Sequence, residues 1–266
     1  MEKPIGVFDS GLGGLTVINA LMAAMPGESF VYVGDTARTP YGEKDVDTLR
    51  SYGRQIVSFL LEQDVKVVVA ACGTISSTVV EDLRREFNVP IIDVVRPGID
   101  AALGQAKKRL GVIATAATIK SGFFQRTIKE KNPQLEVEAK ACPLFVPLIE
   151  EGLEGHDLAV PIVRAYLKDW QDEPVLDTLI LGCTHYPLLA PALRQVLPDT
   201  TLIDMAVATV GETRKYLEKN NLLNCNLSNE LKDVSRKFYV SGDVEKFNDM
   251  GGRITGLHIC AEKVRY

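Results

Sequence analysis

An internal repeat limits the folds that are open to this chain. The apolar run "KVVVAAC" (66–72) ends at a cysteine and is followed by a Thr-containing turn, a helical stretch and "VPIIDVV" (89–95). The same order recurs in 178–206, where "TLILGC" ends at Cys183 and "TTLIDMA" follows. Cys183 follows Cys72 by 111 residues, and Asp204 follows Asp93 by the same 111. The spacing therefore predicts two similar halves built from strand and helix units.

Short runs rich in β-branched residues alternate with stretches of helical periodicity along most of the chain. The predicted strands are 4–9, 29–35, 66–72, 89–95, 109–115, 135–141, 178–183 and 200–206. The predicted helices include 45–63, 76–87, 157–169 and 188–196. This alternation is typical of α/β proteins with parallel sheets. Because 5–11 is also echoed by 110–116 at an offset of 105 residues, we predict two pseudo-symmetric parallel-sheet α/β domains.

The two repeated cysteines stand where a parallel α/β protein binds its ligands, at the carboxyl ends of strands. Two halves that face each other would share one cleft, with Cys72 on one wall and Cys183 on the other. Each cysteine precedes a predicted helix, whose N-terminus favours a thiolate. Two opposed thiols suit the removal of a proton from one face of a carbon and its delivery to the other. The pattern therefore predicts racemisation or epimerisation in the cleft.

Charge and cysteine usage argue against several other classes of protein. The 30 basic and 35 acidic residues give a net charge of −5, which does not favour nucleic acid or anionic membranes as partners. No signal peptide and no apolar run of about 18 residues is visible, so we predict a cytoplasmic protein. The five cysteines are scattered without CxxC spacing, which argues against disulfides and zinc. We expect Cys142, Cys225 and Cys260 to be small buried core residues.

The glycine-rich start "FDSGLGGLTV" (8–17) follows a predicted strand and precedes a helical stretch. Its glycines do not match G-x-G-x-x-G, so a nicotinamide cofactor is poorly supported. We interpret the segment as a tight turn that exposes Asp9 and Ser10, with helix capping by Ser10 as the alternative.

Two further segments contain more polar chemistry than a connection needs. "GDTARTPYG" (34–42) follows a strand, and "PLIEEGLEG" (147–155) places two carboxylates before a glycine. Either could be an ordinary solvated surface segment. His185 stands two residues after Cys183, where we favour proton handling or activation of the thiol over a structural role.

Taken together, "GVFDSGLGGLTV", "GDTARTPYG", "ACGT" and "GCTHYPLL" resemble motifs of the cofactor-independent glutamate racemases, in the aspartate/glutamate racemase superfamily. The resemblance runs from residue 5 to about residue 206 and more loosely through 239–243. It implies a cytoplasmic homodimer that interconverts L- and D-glutamate without cofactor or metal and supplies D-glutamate for peptidoglycan. It also implies a discontinuous N-terminal domain of 1–92 plus 207–266, around a second domain of 93–206.

The resemblance also assigns roles to individual residues. Two opposed cysteines would be the acid and base, assisted by a carboxylate on each side and by a histidine. In this sequence the catalytic residues would be Cys72, Cys183, Asp9, Glu150 and His185. The substrate-binding residues would be Asp9, Ser10, Tyr41, Gly42, Gly73, Thr74, Thr184 and His185.

This chain departs from the family pattern at two positions. The usual turn is Cys-Asn-Thr, whereas Cys72 is followed here by Gly73, and Arg96 stands where Glu is common. These changes bear on which acidic amino acid is the substrate. Aspartate is therefore an alternative, as is a catalytically silent protein that binds an acidic metabolite. Since the chain lacks the N-terminal extension of activator-dependent members, we expect no dependence on a cell-wall precursor.

Overall fold

A computed structural model describes residues 3–171, 176–224 and 234–266. The strands are β1 (Ile5–Asp9), β2 (Phe30–Gly34), β3 (Val67–Ala70), β4 (Ile91–Asp93), β5 (Arg109–Ala114), β6 (Glu136–Ala141), β7 (Thr178–Leu181), β8 (Thr201–Asp204), β9 (Arg236–Val240) and β10 (Glu262–Lys263). All the strand pairs are parallel. The predicted fold class is confirmed by these two parallel sheets with interleaved helices.

The helices lie between the strands and after them. They are α1 (Leu15–Ala24), α2 (Val46–Glu62), α3 (Gly73–Thr78), α4 (Val80–Glu86), α5 (Val95–Leu103), α6 (Ala116–Ser121), α7 (Phe123–Lys131), α8 (Phe145–Glu150), α9 (Ala159–Leu167), α10 (Ala190–Val196), α11 (Met205–Lys219) and α12 (Val244–Thr255). Short 3-10 turns cover Tyr41–Glu43, Lys168–Trp170 and Tyr186–Leu189. None of the described helices is long and apolar enough to cross a membrane.

The order of the strands reproduces the repeat that the sequence contains. The first sheet runs β10-β9-β2-β1-β3-β4, and the second runs β6-β5-β7-β8. In the first sheet β3, which leads into Cys72, lies between β1 and β4. In the second sheet β7, which leads into Cys183, lies between β5 and β8 in the same way. Asp93 and Asp204 have the same local role, because each accepts a backbone N–H from the helix that follows it.

A single hydrophobic core joins the two sheets. Val7 and Val69 of the first sheet belong to the same buried cluster as Val112 and Ile180 of the second. Helices α1, α5 and α11 supply the layer between the sheets. The outer faces have their own clusters, with α2 to α4 on the first sheet and α8 to α10 on the second. The domain boundaries at residues 92 and 207 stay predictions.

The burial of the other cysteines differs in one case from our expectation. Cys142 is fully buried, as predicted, whereas Cys225 lies outside the described residues. The prediction for Cys260 is wrong, since this residue is exposed. In the extended segment before β10, neighbouring side chains point in opposite directions, so the buried Ile259 turns Cys260 towards solvent.

Candidate active site

A cavity of about 270 Å³ lies at the carboxyl ends of the central strands of both sheets. The residues predicted from the motifs all line it, namely Asp9, Ser10, Tyr41, Gly42, Cys72, Gly73, Thr74, Glu150, Cys183, Thr184 and His185. Each sheet brings one cysteine of the pair to the cavity, because β3 leads into Cys72 and β7 leads into Cys183. The roles of these residues stay predictions.

The Cys72 thiol stands in a buried site at the start of α3. Burial raises the pKa of this thiol to about 12, and the nearby Asp9 carboxylate adds to the effect. Hydrogen bonds from the Ile75 backbone and the Ser10 side chain act in the opposite direction but are outweighed. A thiol in these surroundings keeps its proton at neutral pH.

The Cys183 thiol has a different environment, because an imidazole lies beside it. Nδ1 of His185 is 3.7 Å from the sulfur, and Nε2 is 3.1 Å from Oε1 of Glu150. Burial lowers the pKa of His185, but hydrogen bonds with Cys183 and Glu150 outweigh it and raise the pKa to about 10. The ring is therefore an imidazolium at neutral pH and donates to both neighbours, so a positive charge lies beside the Cys183 sulfur.

The carboxylate that contacts His185 is that of Glu150, the last residue of α8. The adjacent Glu151 points elsewhere, with Oε1 3.7 Å from Nζ of Lys246 in α12. Gly152 ends the helix in a left-handed conformation with φ +73°, which turns the chain away. The end of α8 thus presents one carboxylate to the imidazole and the other to solvent.

The glycine-rich turn after β1 fits closely around the second cysteine turn. A Cβ atom on Gly13 would lie 2.4 Å from Nδ1 of His185 and 2.5 Å from Oγ1 of Thr184. Asp9 is buried and accepts hydrogen bonds from the Gly11 N–H at 2.9 Å and from the Thr184 hydroxyl at 3.3 Å. The glycines allow this approach and bring Asp9 to the cavity. Ser10 does not cap α1, whose N-cap is Gly14.

The "PYG" turn is held by a buried polar network on the first sheet. The Tyr41 hydroxyl donates to Asp35, which also pairs with Arg38 and accepts from the Ser241 hydroxyl. Burial and the Asp35 charge raise the pKa of Tyr41 well above its usual range, so its hydroxyl stays protonated. Gly42 packs against Thr115 of the second half, where a Cβ atom would lie 2.8 Å from Cβ of Thr115.

Thr115 is the clearest site residue that sequence reasoning missed. Its hydroxyl lies 3.0 Å from the Thr74 hydroxyl and hydrogen-bonds to Thr118 at 2.9 Å, at the cavity wall. The repeat contained the signal, because Thr115 follows Ser10 by the 105 residues that relate the two first strands. Cys142 also lines the cavity, with Val146 and Pro147 on an apolar side.

Arg96 lies away from this cavity. It pairs with Asp93 at 2.8 Å and with Glu81 at 2.8 Å, and it lines a second cavity with Arg84. Within the part of the chain that the structure describes, neither Lys nor Arg lines the cavity that contains the two thiols. Among the residues that the structure describes, no group of three or more His, Cys, Asp or Glu side chains could hold a metal ion.

Comparison with known proteins agrees with this geometry. The family model for Asp/Glu/Hydantoin racemase matches residues 14–213. The glutamate racemase of Neisseria meningitidis is 42% identical over 257 residues, which cover 96% of this chain and 93% of that protein.

Solved structures show the same similarity. The crystal structure of a glutamate racemase from Francisella tularensis in complex with D-glutamate has a TM-score of 0.90 and 37% identity, covering 99% of this chain and 98% of that one. A glutamate racemase isoform from Bacillus anthracis has a TM-score of 0.92 and 34% identity, covering 99% and 97%. The similarity therefore extends over both sheets and both cysteine turns.

Proposed function

Because the chain belongs to the Asp/Glu/Hydantoin racemase family, we propose that it interconverts L- and D-glutamate by proton transfer between Cys72 and Cys183. The family relationship makes it an amino-acid racemase, an isomerase. Glutamate is favoured as the substrate by the relatives that are glutamate racemases, one of them solved with D-glutamate. The D-glutamate formed would serve peptidoglycan synthesis in the cytoplasm, and a homodimer is the proposed assembly.

The single observation that supports the proposed mechanism best is the pair of thiols in one cavity with unequal charge environments. The His185 imidazolium places a positive charge 3.7 Å from the Cys183 sulfur, whereas the Asp9 carboxylate lies near Cys72. The pKa of Cys72, raised to about 12 by burial, keeps that thiol protonated. In the proposed turnover Cys183 acts first as the base and Cys72 as the acid.

In the forward step the Cys183 thiolate takes the Cα proton, and the electron pair of the broken C–H bond remains on the substrate. The Cys72 thiol then donates its proton to the opposite face of the same carbon, which inverts the configuration. The protonation states of the two cysteines are then exchanged, which suits the opposite enantiomer. The hydroxyls of Ser10, Thr74 and Thr184 would turn from their partners within the protein to hold the substrate carboxylates and stabilise the charge that develops beside Cα.

The test uses the purified protein in D₂O without added cofactor. L-glutamate and D-glutamate, and then the two aspartates, are incubated while optical rotation and deuterium at Cα are followed. We expect glutamate to racemise with incorporation of solvent deuterium. Racemisation of aspartate alone would replace the proposed substrate, and absence of exchange with all four would leave only a binding protein.

Substitution of each cysteine tests the two-base mechanism. We expect Cys72→Ser and Cys183→Ser each to lower the rate of racemisation by about 10²–10⁴-fold, the usual contribution of a positioned acid or base. Each variant should retain deuterium exchange with one enantiomer only, because one thiol remains. Cys260→Ser is the matched control, since Cys260 is exposed and remote from the cavity. Full activity in either of the first two variants would contradict the mechanism.

A further inference from the structure

Tyr32 is a buried tyrosine of β2 that lies behind the wall of the cavity. Its side chain is fully buried, and its ring packs against the rings of Phe238 and Phe247. Val7 of β1 pairs with Tyr32, so Asp9, two residues later in β1, lies on the same face of the sheet and nearer the cavity. The Tyr32 hydroxyl thus lies beneath the turn that follows β1.

This hydroxyl holds the turn that brings Asp9 to the cavity. It donates to the Gly11 carbonyl at 2.7 Å, while the Gly11 N–H donates to Oδ2 of Asp9 at 2.9 Å. Gly11 is therefore held on both sides, by the tyrosine and by the carboxylate. Its carbonyl oxygen lies against the end of β2, since a Cβ atom on Gly34 would be 2.9 Å from it. Loss of the hydroxyl would remove a hydrogen bond from a buried carbonyl and loosen the turn.

The start of α1 closes on the same two side chains. A Cβ atom on Gly14, the N-cap of α1, would lie 2.6 Å from Cβ of Asp9 and 2.8 Å from the Tyr32 hydroxyl oxygen. Asp9 is therefore enclosed between the helix and the tyrosine. Burial raises the pKa of Tyr32 well above its usual range, and the charges of Asp9 and Cys72 add to the effect. The hydroxyl thus keeps its proton and lies within reach of both charges.

We propose that Tyr32 is a positioning residue, which holds the Asp9 carboxylate beside the Cys72 thiol through its hydrogen bond to the turn that follows β1. Tyr32 does not line the cavity, so it acts through Asp9 and not on the substrate. The inference rests on the proposed two-cysteine racemisation, in which Asp9 assists Cys72 and His185 lies beside the other thiol. Tyr32 therefore serves one of the two proton transfers more than the other.

The first test compares Tyr32→Phe with Tyr239→Phe. Tyr32→Phe keeps the ring and removes only the hydroxyl. We expect kcat/KM to fall about 10-fold with either enantiomer of glutamate, because misplacing a reacting group by about 1 Å can lower a rate about 100-fold and the turn keeps its other contacts. Tyr239→Phe should keep the wild-type rate, since this tyrosine of β9 packs on Phe59 at the opposite face of the sheet. Wild-type kinetics in folded Tyr32→Phe would overturn the proposal.

Glutamate deuterated at Cα shows which proton transfer is slowed. The enantiomer that no longer exchanges its Cα hydrogen in Cys72→Ser is the one that Cys72 deprotonates. In Tyr32→Phe we expect the isotope effect on kcat/KM to rise for this enantiomer, because cleavage of its C–H bond becomes the slowest step. For the other enantiomer it should fall towards unity, because reprotonation by Cys72 limits the rate. A role in stability alone would leave both isotope effects unchanged, and that result would overturn the proposal.

A double-mutant cycle tests whether the effect passes through Asp9. Tyr32→Phe and Asp9→Asn are made singly and together, and alkylation of Cys72 by iodoacetamide is measured at one pH against that of the exposed Cys260. Because the Asp9 charge raises the pKa of Cys72, we expect Tyr32→Phe to speed this alkylation. In the Asp9→Asn background the same change should add little, whereas additive effects would overturn the inference.

The alkylation cycle needs no turnover, so it separates the two proposals. If the wild type fails to racemise glutamate but the cycle is not additive, the proposed function fails and the positioning role stands. If Tyr32→Phe does not fold, Gly14→Ala replaces it, because φ −62° suits alanine and the methyl group would displace Asp9 from the tyrosine. The two isotope effects should again change in opposite directions, and unchanged values would overturn the inference.

Discussion

His185 makes the two otherwise similar thiol sites unequal. Its imidazolium lies between the Cys183 sulfur and the Glu150 carboxylate. In the repeat, the residue that corresponds to His185 is Thr74, whose hydroxyl hydrogen-bonds to Thr115 and Thr118. The asymmetry therefore arises at one pair of repeat-related positions, and it places a positive charge beside one thiol and not beside the other.

The contact between Glu150 and His185 has a measurable consequence. In Glu150→Gln the side chain keeps its shape but loses its charge, so we expect the pKa of His185 to fall by about 1–3 units. The titration can be followed by NMR of the imidazole carbon resonances. Glu151→Gln is the matched control, since Glu151 contacts Lys246 instead. If His185 titrates with the same midpoint in the two variants, Glu150 does not stabilise the charge on His185.

The raised pKa of His185 also determines how the stability of the protein depends on pH. The pKa of His185 is raised from 6.5 to about 10 in the folded protein. Its contribution to the free energy of unfolding is therefore fully present below about pH 6.5 and is lost as the pH rises through about 10. The difference in stability between the wild type and Glu150→Gln should shrink over that range.

A local motif brings residues together in a way that the sequence alone predicts, whereas contacts between distant segments do not follow from it. Cys183, Thr184 and His185 are adjacent in the chain, so their arrival at one cavity wall follows from the strand that precedes them. The contact of His185 with Glu150 joins positions 35 residues apart. The sequence suggested that carboxylate only through resemblance, because no local pattern relates α8 to β7.

At the level of elements, the end of α8 controls where Glu150 points. Gly152 closes the helix with φ +73°, and the Leu153 N–H donates to the Leu148 carbonyl at 2.9 Å. This is the Schellman arrangement, which satisfies carbonyls that the helix leaves free. The guanidinium of Arg253 in α12 covers the glycine, and its Nη1 would lie 2.5 Å from an added Cβ atom.

A substitution at this helix end should therefore cost stability. We expect Gly152→Ala to lower the free energy of unfolding by about 1–2 kcal/mol, because a residue with a Cβ atom is strained in the left-handed conformation. Urea denaturation measures the change. Gly155→Ala, three residues away, has no positive φ and nothing within 4 Å of the added atom, so it serves as the control. Equal stability of the two variants would argue against a constrained helix end.

The eight strands expected from alternation are all present, whereas β9 and β10 were not predicted. β10 consists only of Glu262–Lys263, both exposed, at the edge of the first sheet. β9 pairs with β2, which lies about 200 residues earlier, and its first two residues are exposed. Short strands with exposed residues leave a weak hydrophobic pattern. The helix predicted over 76–87 is divided near Val79, where α3 ends and α4 begins.

At the level of the whole molecule, the two halves are joined by buried surface and not only by the substrate cavity. α5 and α11 pack so closely that a Cβ atom on Gly98 would lie 2.6 Å from Cγ of Met205. Arg253 of α12 pairs with Glu154 of the second half at 3.1 Å. No hydrophobic pattern within one element predicts such contacts, because both partners look like ordinary amphipathic helices in the sequence.

The shared core predicts that the two halves unfold together. Trp170, the single tryptophan, is buried in the cluster on the outer face of the second sheet, so its fluorescence reports on that half. Far-ultraviolet circular dichroism reports on the helices of both halves. If the core between the sheets couples them, the two signals should give the same urea midpoint.

Met205→Ala provides the sharper form of this test. Met205, the first residue of α11, is buried against α5, so its truncation should cost about 2–5 kcal/mol. Although Trp170 belongs to a different cluster, we expect both signals to shift to the same lower midpoint. A variant in which circular dichroism shifts while tryptophan fluorescence does not would mean that the second half is stable by itself. The cavity would then be an interface between independent units, and the thiol separation would depend on how those units dock.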